Sequence, residues 1–140
     1  MKITLKFLEN KNACQEGIDW AIKNNLIGLD GASVVKKLIK QDKLDWANWL
    51  IVRVMKRKQQ IQYAIYAAEQ VLDIFEKEYP DDKRPREAIG AAKKVLKNDT
   101  KENREAAASV AFVASAASID EQEMKIKILN YGIKLLTKKV

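Results

Sequence analysis

The stretch 59–79, QQIQYAIYAAEQVLDIFEKEY, decides the fold class of this chain. Its apolar residues recur every three or four positions, the spacing that keeps them on one face of an α-helix. This pattern predicts a core-facing helix of roughly five to six turns. Pro80 ends it, because proline disfavours helical backbone in the residue before it. The apolar stripe consists of Ile61, Ile65, Ala68, Leu72 and Phe75, widened by Ala64, Val71 and Ile74.

Helical periodicity continues on both sides of this stretch. No two adjacent strand patterns are joined by a hairpin turn. Residues 124–128 alternate apolar and polar, which leaves a strand open there, although the capping box before them favours helix. The sequence therefore predicts an all-α fold, a compact bundle of six or seven helices in a single domain over residues 1–140. The further helices are predicted at Thr4–Leu8 and Ala13–Asn24, as one piece or two, then at Ala32–Gln41, Asp42–Met55, Pro85–Asn98, Glu102–Ser118 and Ser118–Thr137.

Several side chains have predicted places in these helices. Asp42 is the predicted N-cap of the helix that follows it, and Pro85 fits a first helical turn. The alanine-rich helix Glu102–Ser118 lets neighbours approach closely, so it and the helix at 59–79 are predicted to be central. The apolar residues predicted to be buried near the N-terminus are Leu5, Leu8, Ile18, Ala21 and Ile22, and the tryptophans Trp20, Trp46 and Trp49 are also assigned to the core.

Composition predicts a soluble intracellular protein. Apolar residues make up 47% and charged residues 32% of the chain, the balance of a globular rather than a disordered protein. The apolar run Ala106–Ile119 is too short and too rich in alanine to cross a membrane. Met1–Asn10 carries charges where a signal peptide has its apolar core. The single cysteine, Cys14, can form no internal disulfide, which fits a reducing cytoplasm.

The charge of the chain is unevenly distributed. The net charge is +7, yet residues 61–82 hold six acidic residues and a single basic one, Lys77. Such segregation argues for nucleic-acid binding less strongly than a uniformly basic surface would. A basic chain also cannot imitate the charge of a nucleic acid. The charge pattern therefore favours contact with another protein.

The residue types of most catalytic sites are missing from the sequence. The absence of histidine removes Ser–His and Cys–His nucleophile pairs and most zinc sites. Cys14 then lacks an activating base and is interpreted as a small buried apolar residue. Two acidic pairs, Glu16 with Asp19 and Asp81 with Asp82, lack the further oxygen ligands that a divalent metal needs. We therefore expect no enzymatic activity, no metal and no cofactor, with a carboxylate–metal enzyme as the weaker rival.

The segment Arg84–Pro85–Arg86 is the best candidate for a binding site. Proline fixes the chain direction at a helix start, and arginine can bind a carboxylate in a bidentate manner. Either these arginines clamp Asp82 or Glu78 within the fold, or they meet acidic groups on a partner; the sequence leaves both readings open. The predicted partner-binding residues are Arg84, Arg86, Asp81, Asp82, Arg53 and Arg57.

Basic clusters support an alternative function, that of a nucleic-acid-binding accessory protein. On a continuous helix Arg53, Lys56 and Arg57 would share one face, and such a face attracts phosphate groups. The sequence has neither a helix-turn-helix pattern nor a ladder of exposed aromatic residues, which speaks against this function. The residues that it would use are Arg53, Lys56, Arg57, Arg84, Arg86, Lys93 and Lys97.

Short motifs spread over most of the chain carry a family resemblance. The most specific is Arg84–Pro85–Arg86 with Ala88–Ile89. The others are Ala13–Cys14, Glu16–Gly17 and Trp20; Trp49–Leu50 and Arg53; Ala64, Ala67–Ala68–Glu69 and Val71–Leu72; Phe75–Glu76, Tyr79–Pro80 and Asp82; Ala91–Ala92; and Tyr131–Gly132 with Leu135–Leu136. With these motifs the chain resembles the small helical proteins of bacteria and phages known as Imm-5-like immunity proteins. The resemblance implies a protein that binds and neutralises a toxin or defence effector in the cytoplasm of a bacterium or phage-infected cell. A second copy of the chain is left open as a further partner.

Overall fold

The computed structural model describes residues 1–98 and 122–138, and this part of the chain confirms the all-α prediction. It contains no strand, and its one β-bridge joins Lys2 to Asp30 in antiparallel fashion. The predicted helix Glu102–Ser118 and the capping box of Ser118 and Glu121 lie outside the described residues. The described helices are α1 (Leu5–Asn10), α2 (Gln15–Lys23), α3 (Gly31–Lys40), α4 (Leu44–Val54), α5 (Arg57–Glu78), α6 (Arg84–Lys97) and α7 (Gln122–Thr137).

The chain divides into two compact units. The first comprises Met1–Lys56 with Gly132–Val140, and the second comprises Arg57–Tyr131. The single domain over residues 1–140 stays a prediction.

The helices α1, α2 and α3 end in the same way. Two residues after the last helical residue, the backbone takes a positive φ, and the N–H groups of this residue and the next bond back to the last turn. In α2, Asn25 N–H donates to Ile22 O (3.2 Å) and Leu26 N–H to Ala21 O (2.9 Å). This is the Schellman motif, which suits asparagine and aspartate because their short side chains tolerate left-handed backbone. The positive-φ residues are Asn12 (59°), Asn25 (57°) and Asp42 (59°).

This motif overturns the prediction that Asp42 caps the start of α4. Asp42 instead closes the end of α3, with its N–H donating to Ile39 O at 3.0 Å. The helix α4 begins at Leu44, after Lys43, whose side chain makes no capping bond. The sequence pattern was ambiguous because aspartate is favoured both at helix starts and in left-handed turns.

Side chains cap the starts of α1, α2 and α3. Thr4 caps α1, and Cys14 caps α2 with its Sγ, which accepts the N–H of Gly17 at 3.4 Å. The Asp30 carboxylate caps α3 by accepting the N–H (3.0 Å) and the hydroxyl (2.7 Å) of Ser33, and these bonds lower the pKa of Asp30. Cys14 is exposed, so its prediction as a buried residue is wrong.

The core of the first unit is built around α3 and α4. A Cβ at Gly31 would lie 3.2 Å from Val54 Cγ1, so the start of α3 and the end of α4 approach closely. Leu5 and Ile22, predicted to be buried, are 41% and 50% exposed. The tryptophans are half-buried. The core residues before α5 are Ile3, Leu8, Ile18, Ala21, Leu26, Val34, Val35, Leu38, Leu44, Ala47, Leu50, Ile51 and Met55.

The second unit is centred on α5, as the stretch 59–79 predicts. Its small core residues Ala68 and Ala92, 0% and 1% exposed, let α5 and α6 pack closely. In the same unit Tyr131 of α7 stacks on Tyr66 of α5, with ring centroids 3.9 Å apart. Ile74 was assigned to the buried stripe but is 54% exposed. The core cluster between α5 and α6 consists of Ile65, Ala68, Leu72, Ala88, Ile89 and Ala92.

None of the helices in residues 1–98 and 122–138 is both long enough and apolar enough to span a bilayer.

Candidate functional site

The turn between α5 and α6 holds the Arg84–Pro85–Arg86 segment. The helix α5 ends at Glu78, and Asp82 N–H donates to Tyr79 O at 3.1 Å, which closes the turn. Pro85 is buried in the first turn of α6, as predicted, and so anchors the start of this helix while the residues beside it remain exposed.

Arg84 and Asp82 form a bidentate ion pair across this turn. The Arg84 Nε donates to Oδ1 at 2.9 Å and Nη2 donates to Oδ2 at 2.6 Å, while the backbone N–H of Arg84 donates to Oδ1 at 3.0 Å. These hydrogen bonds from the Arg84 side chain and backbone lower the pKa of Asp82 to about 2, and the same pair raises the pKa of Arg84. The structure thus supports the reading that Arg84 clamps Asp82.

Arg86 reaches back to α5. Its Nε and Nη2 lie 2.9 and 2.7 Å from Glu76 Oε1, so its partner is Glu76 and not Asp82 or Glu78. The Arg86 side chain is nevertheless 63% exposed and that of Arg84 is 87% exposed. Both guanidinium groups are therefore held in fixed positions but remain open to a partner.

An aromatic pair lies at the end of α5, beside the turn. Tyr79 is 55% exposed, and its ring meets that of Phe75 with centroids 5.1 Å apart. Asp81 lies in the turn and, with Tyr79, Asp82 and Arg84, lines a shallow open depression. We name the set Tyr79, Asp81, Asp82, Arg84 and Arg86 the corner surface.

Arg53 and Arg57, the other predicted binding residues, do not share a helix. The helix α4 ends at Val54, Met55 has extended backbone, and α5 begins at Arg57. The guanidinium of Arg53 lies 4.1 Å from the centroid of the Trp49 ring, and its Nη1 donates to Trp49 O at 2.7 Å. The single helix face predicted for Arg53, Lys56 and Arg57 is therefore wrong.

The remaining cations of the nucleic-acid alternative lie on α6. Lys93 and Lys97 are exposed, and Lys93 Nζ lies 3.7 Å from a Glu69 carboxylate oxygen on the acidic helix α5. Because Glu69 and Glu76 pair with Lys93 and Arg86, part of the cationic charge of α6 is balanced within the second unit.

No group of three cysteine or carboxylate side chains in residues 1–98 and 122–138 could hold a metal ion. The pairs Glu16 with Asp19 and Asp81 with Asp82 thus have no third ligand of this kind among those residues.

Sequence reasoning missed one part of the corner surface. Tyr79 was predicted only as the last residue of the helix, although it directly precedes a proline and follows three charged residues. That context is typical of a helix end at the surface, where a tyrosine ring is partly exposed. It could have indicated the aromatic member of the site.

These features define a small all-helical protein in which ion pairs and aromatic rings meet at the turn between α5 and α6. A family model, described as Imm-5 like putative immunity protein, matches residues 50–132, which is more than half of the chain. The chain belongs to this family of immunity proteins. The matched range contains the whole corner surface. No curated protein and no solved structure matches the chain.

Proposed function

We propose that the chain neutralises a toxin or defence effector by binding it, without catalysing a reaction itself. The observation that carries this proposal is that the chain belongs to an immunity-protein family. Membership of such a family implies a protein partner in general. The family model covers α5, the turn and α6, so the proposed contact lies within the part of the chain that defines the family.

The corner surface has the composition of a protein-binding site. Tyrosine and arginine are enriched among residues whose truncation costs most binding energy, because they combine apolar area with directional hydrogen bonds. Tyr79 and Arg86 are both more than half exposed. Glu76 and Asp82 hold the arginines in place, so less side-chain entropy is lost when they meet a carboxylate on the partner.

The net charge of the whole chain favours an acidic partner, although the corner surface itself holds as many carboxylates as arginines. The chain carries +7, and opposite charge on a partner speeds association and fixes orientation. Such a partner would be met by Arg84 and Arg86, while Asp81 would repel misplaced acidic groups. The acidic helix α5 would in turn restrict the contact to one orientation.

Affinity capture from the native host cell tests the existence of this partner. The tagged chain is compared with the variant Tyr79→Ala/Arg86→Ala and with Leu5→Ala/Lys6→Ala, a matched pair of apolar and cationic truncations on exposed residues of α1. Nuclease treatment of the lysate removes proteins bridged by nucleic acid. We expect the wild type and the α1 variant to retain the same protein, and the corner variant to lose it.

Two results would count against the proposal. Recovery of no protein above an untagged control would remove the protein partner. The nucleic-acid alternative would be favoured instead if the chain bound DNA or RNA with an affinity that falls steeply with salt. In that case Arg53→Glu/Arg57→Glu should abolish the binding.

A further inference from the structure

The first unit contains a cavity separate from the corner surface. Its volume is about 370 Å³, and all of its lining residues lie between Ile3 and Leu50. Leu50 is the only lining residue within the range matched by the family model, so this cavity is built by the part of the chain that precedes the match.

The interior of the cavity is apolar. Leu26, Val34 and Leu50, each 2–3% exposed, belong to its lining and also to the core. The apolar side chains that form the walls have no protein atoms opposite them on the cavity side. An apolar ligand would therefore be stabilised by dispersion contacts that water does not provide. The volume falls in the range of roughly 300–1,000 Å³ that is typical of small-molecule sites.

All three tryptophans of the chain line this cavity. Trp20 and Trp46 meet edge to face, with centroids 5.8 Å apart and planes at 65°, so the two rings present differently oriented surfaces. Lys43 lies over Trp46 and Arg53 over Trp49, which holds these rings in place. Fixed aromatic walls favour a planar aromatic ligand, because rings gain attraction from both stacked and edge-on contacts.

The polar lining residues are few and exposed. Asn12, Cys14 and Asp45 contribute to the lining and are accessible to solvent, so they lie at the opening. No lysine or arginine belongs to the lining. We propose that this cavity binds a small uncharged aromatic molecule, with its ring among the tryptophans and any hydroxyl or amine group at the opening. This proposal does not depend on the corner surface.

Fluorescence titration with N-phenyl-1-naphthylamine, a neutral aromatic probe, tests the proposal on the full chain. Because all tryptophans line the cavity, bound probe should quench their emission, and the cavity-filling variants below show whether the probe lies at this site. We expect saturable binding of one probe per chain and a rise in Tm with probe concentration. Alkylation of Cys14 by iodoacetamide should slow when the probe is bound.

Two filling variants and one control make the test specific. Ala13→Phe and Ala21→Leu place extra side-chain volume in the cavity, and Ile22→Phe adds a ring at a half-exposed position outside the lining. We expect the filling variants to raise the probe Kd by at least about tenfold, with helical circular dichroism retained, and the control to match the wild type.

The proposal is overturned if the wild type shows no saturable binding, or if both filling variants fold and bind the probe as the wild type does. It is also overturned if the free chain does not bind the probe and Ala21→Leu no longer captures the protein that the wild type captures. The cavity would then receive a side chain of a protein partner.

Discussion

Asp82 is the residue whose titration reports most directly on the geometry of the corner surface. Hydrogen bonds from Arg84 lower its pKa from 3.8 to about 2. Because the pKa is lower in the folded chain, the pair contributes to stability above about pH 4 and loses that contribution as the pH falls towards 2. Carboxyl NMR shifts should show the low pKa in the wild type and a value nearer 3.8 in Arg84→Gln. An unchanged pKa in that variant would contradict the observed ion pair.

The stability of an Arg86 variant shows whether this residue has a structural or a binding role. Its ion pair with Glu76 joins side chains that are 63% and 32% exposed, and exposed pairs contribute only roughly 0.2–1 kcal/mol to stability. Arg86→Ala should therefore lower Tm by no more than about 2–4 °C, as measured by differential scanning calorimetry. A much larger fall would show that Arg86 holds the fold together and would weaken its assignment to a binding surface.

The sequence left open which arginine clamps which acidic residue; the structure pairs Arg84 with Asp82, one of the named possibilities, and Arg86 with Glu76, which was not among them. Arg84 and Asp82 are two residues apart in one turn, so local geometry brings them together. Glu76 lies ten residues before Arg86, and only the packing of α6 on α5 decides which acidic residue of α5 comes within reach. The stacking of Arg53 on Trp49 follows the four-residue spacing of a helix, although the sequence analysis had assigned Trp49 to the core and Arg53 to a basic face.

At the scale of the helix, the Schellman turns make a prediction about Asn25. Its φ of 57° suits glycine, whereas an alanine there would strain the backbone by roughly 1–2 kcal/mol. Asn25→Ala should lower the free energy of unfolding by about this amount, and Asn25→Gly should leave it nearly unchanged. Urea denaturation of both variants measures the difference. Equal stability of the two would show that the turn is not held in the left-handed region.

The apolar stripe predicted on α5 contains both buried and exposed residues. Ile65 is 6% exposed in the core cluster, whereas Ile74 on the same helix is 54% exposed. Ile65→Ala should reduce the free energy of unfolding by roughly 2–5 kcal/mol, while Ile74→Ala should change it by less than about 0.5 kcal/mol. Equal losses in denaturant titrations would place Ile74 in the core, as its periodicity first suggested.

The break between α4 and α5 shows where periodicity fails as a guide. No glycine or proline separates Val54 from Arg57, and apolar residues recur on both sides, so the sequence placed Met55 in the helix. In the structure Met55 has extended backbone and is 6% exposed. Burial of a long apolar side chain can outweigh the weak local preference for helix, and that packing is not encoded by spacing.

At the scale of the whole molecule, the two proposed sites fall in different parts of the chain. The corner surface lies in Arg57–Tyr131, within the range matched by the family model. The cavity lined by the three tryptophans lies almost entirely before that range. The charge asymmetry seen in the sequence also persists in the structure, where acidic residues of α5 pair with cations of α6. Part of the cationic charge of α6 is thus balanced within the second unit.

The affinity of the purified chain for the protein that it captures tests the central claim most directly. Isothermal titration would compare wild type, Tyr79→Ala/Arg86→Ala and the α1 control Leu5→Ala/Lys6→Ala. If the corner surface is the binding site, the corner variant should bind at least about tenfold more weakly with little change in Tm, and the control should bind as the wild type does. Equal affinity of the corner variant and the wild type would contradict this assignment.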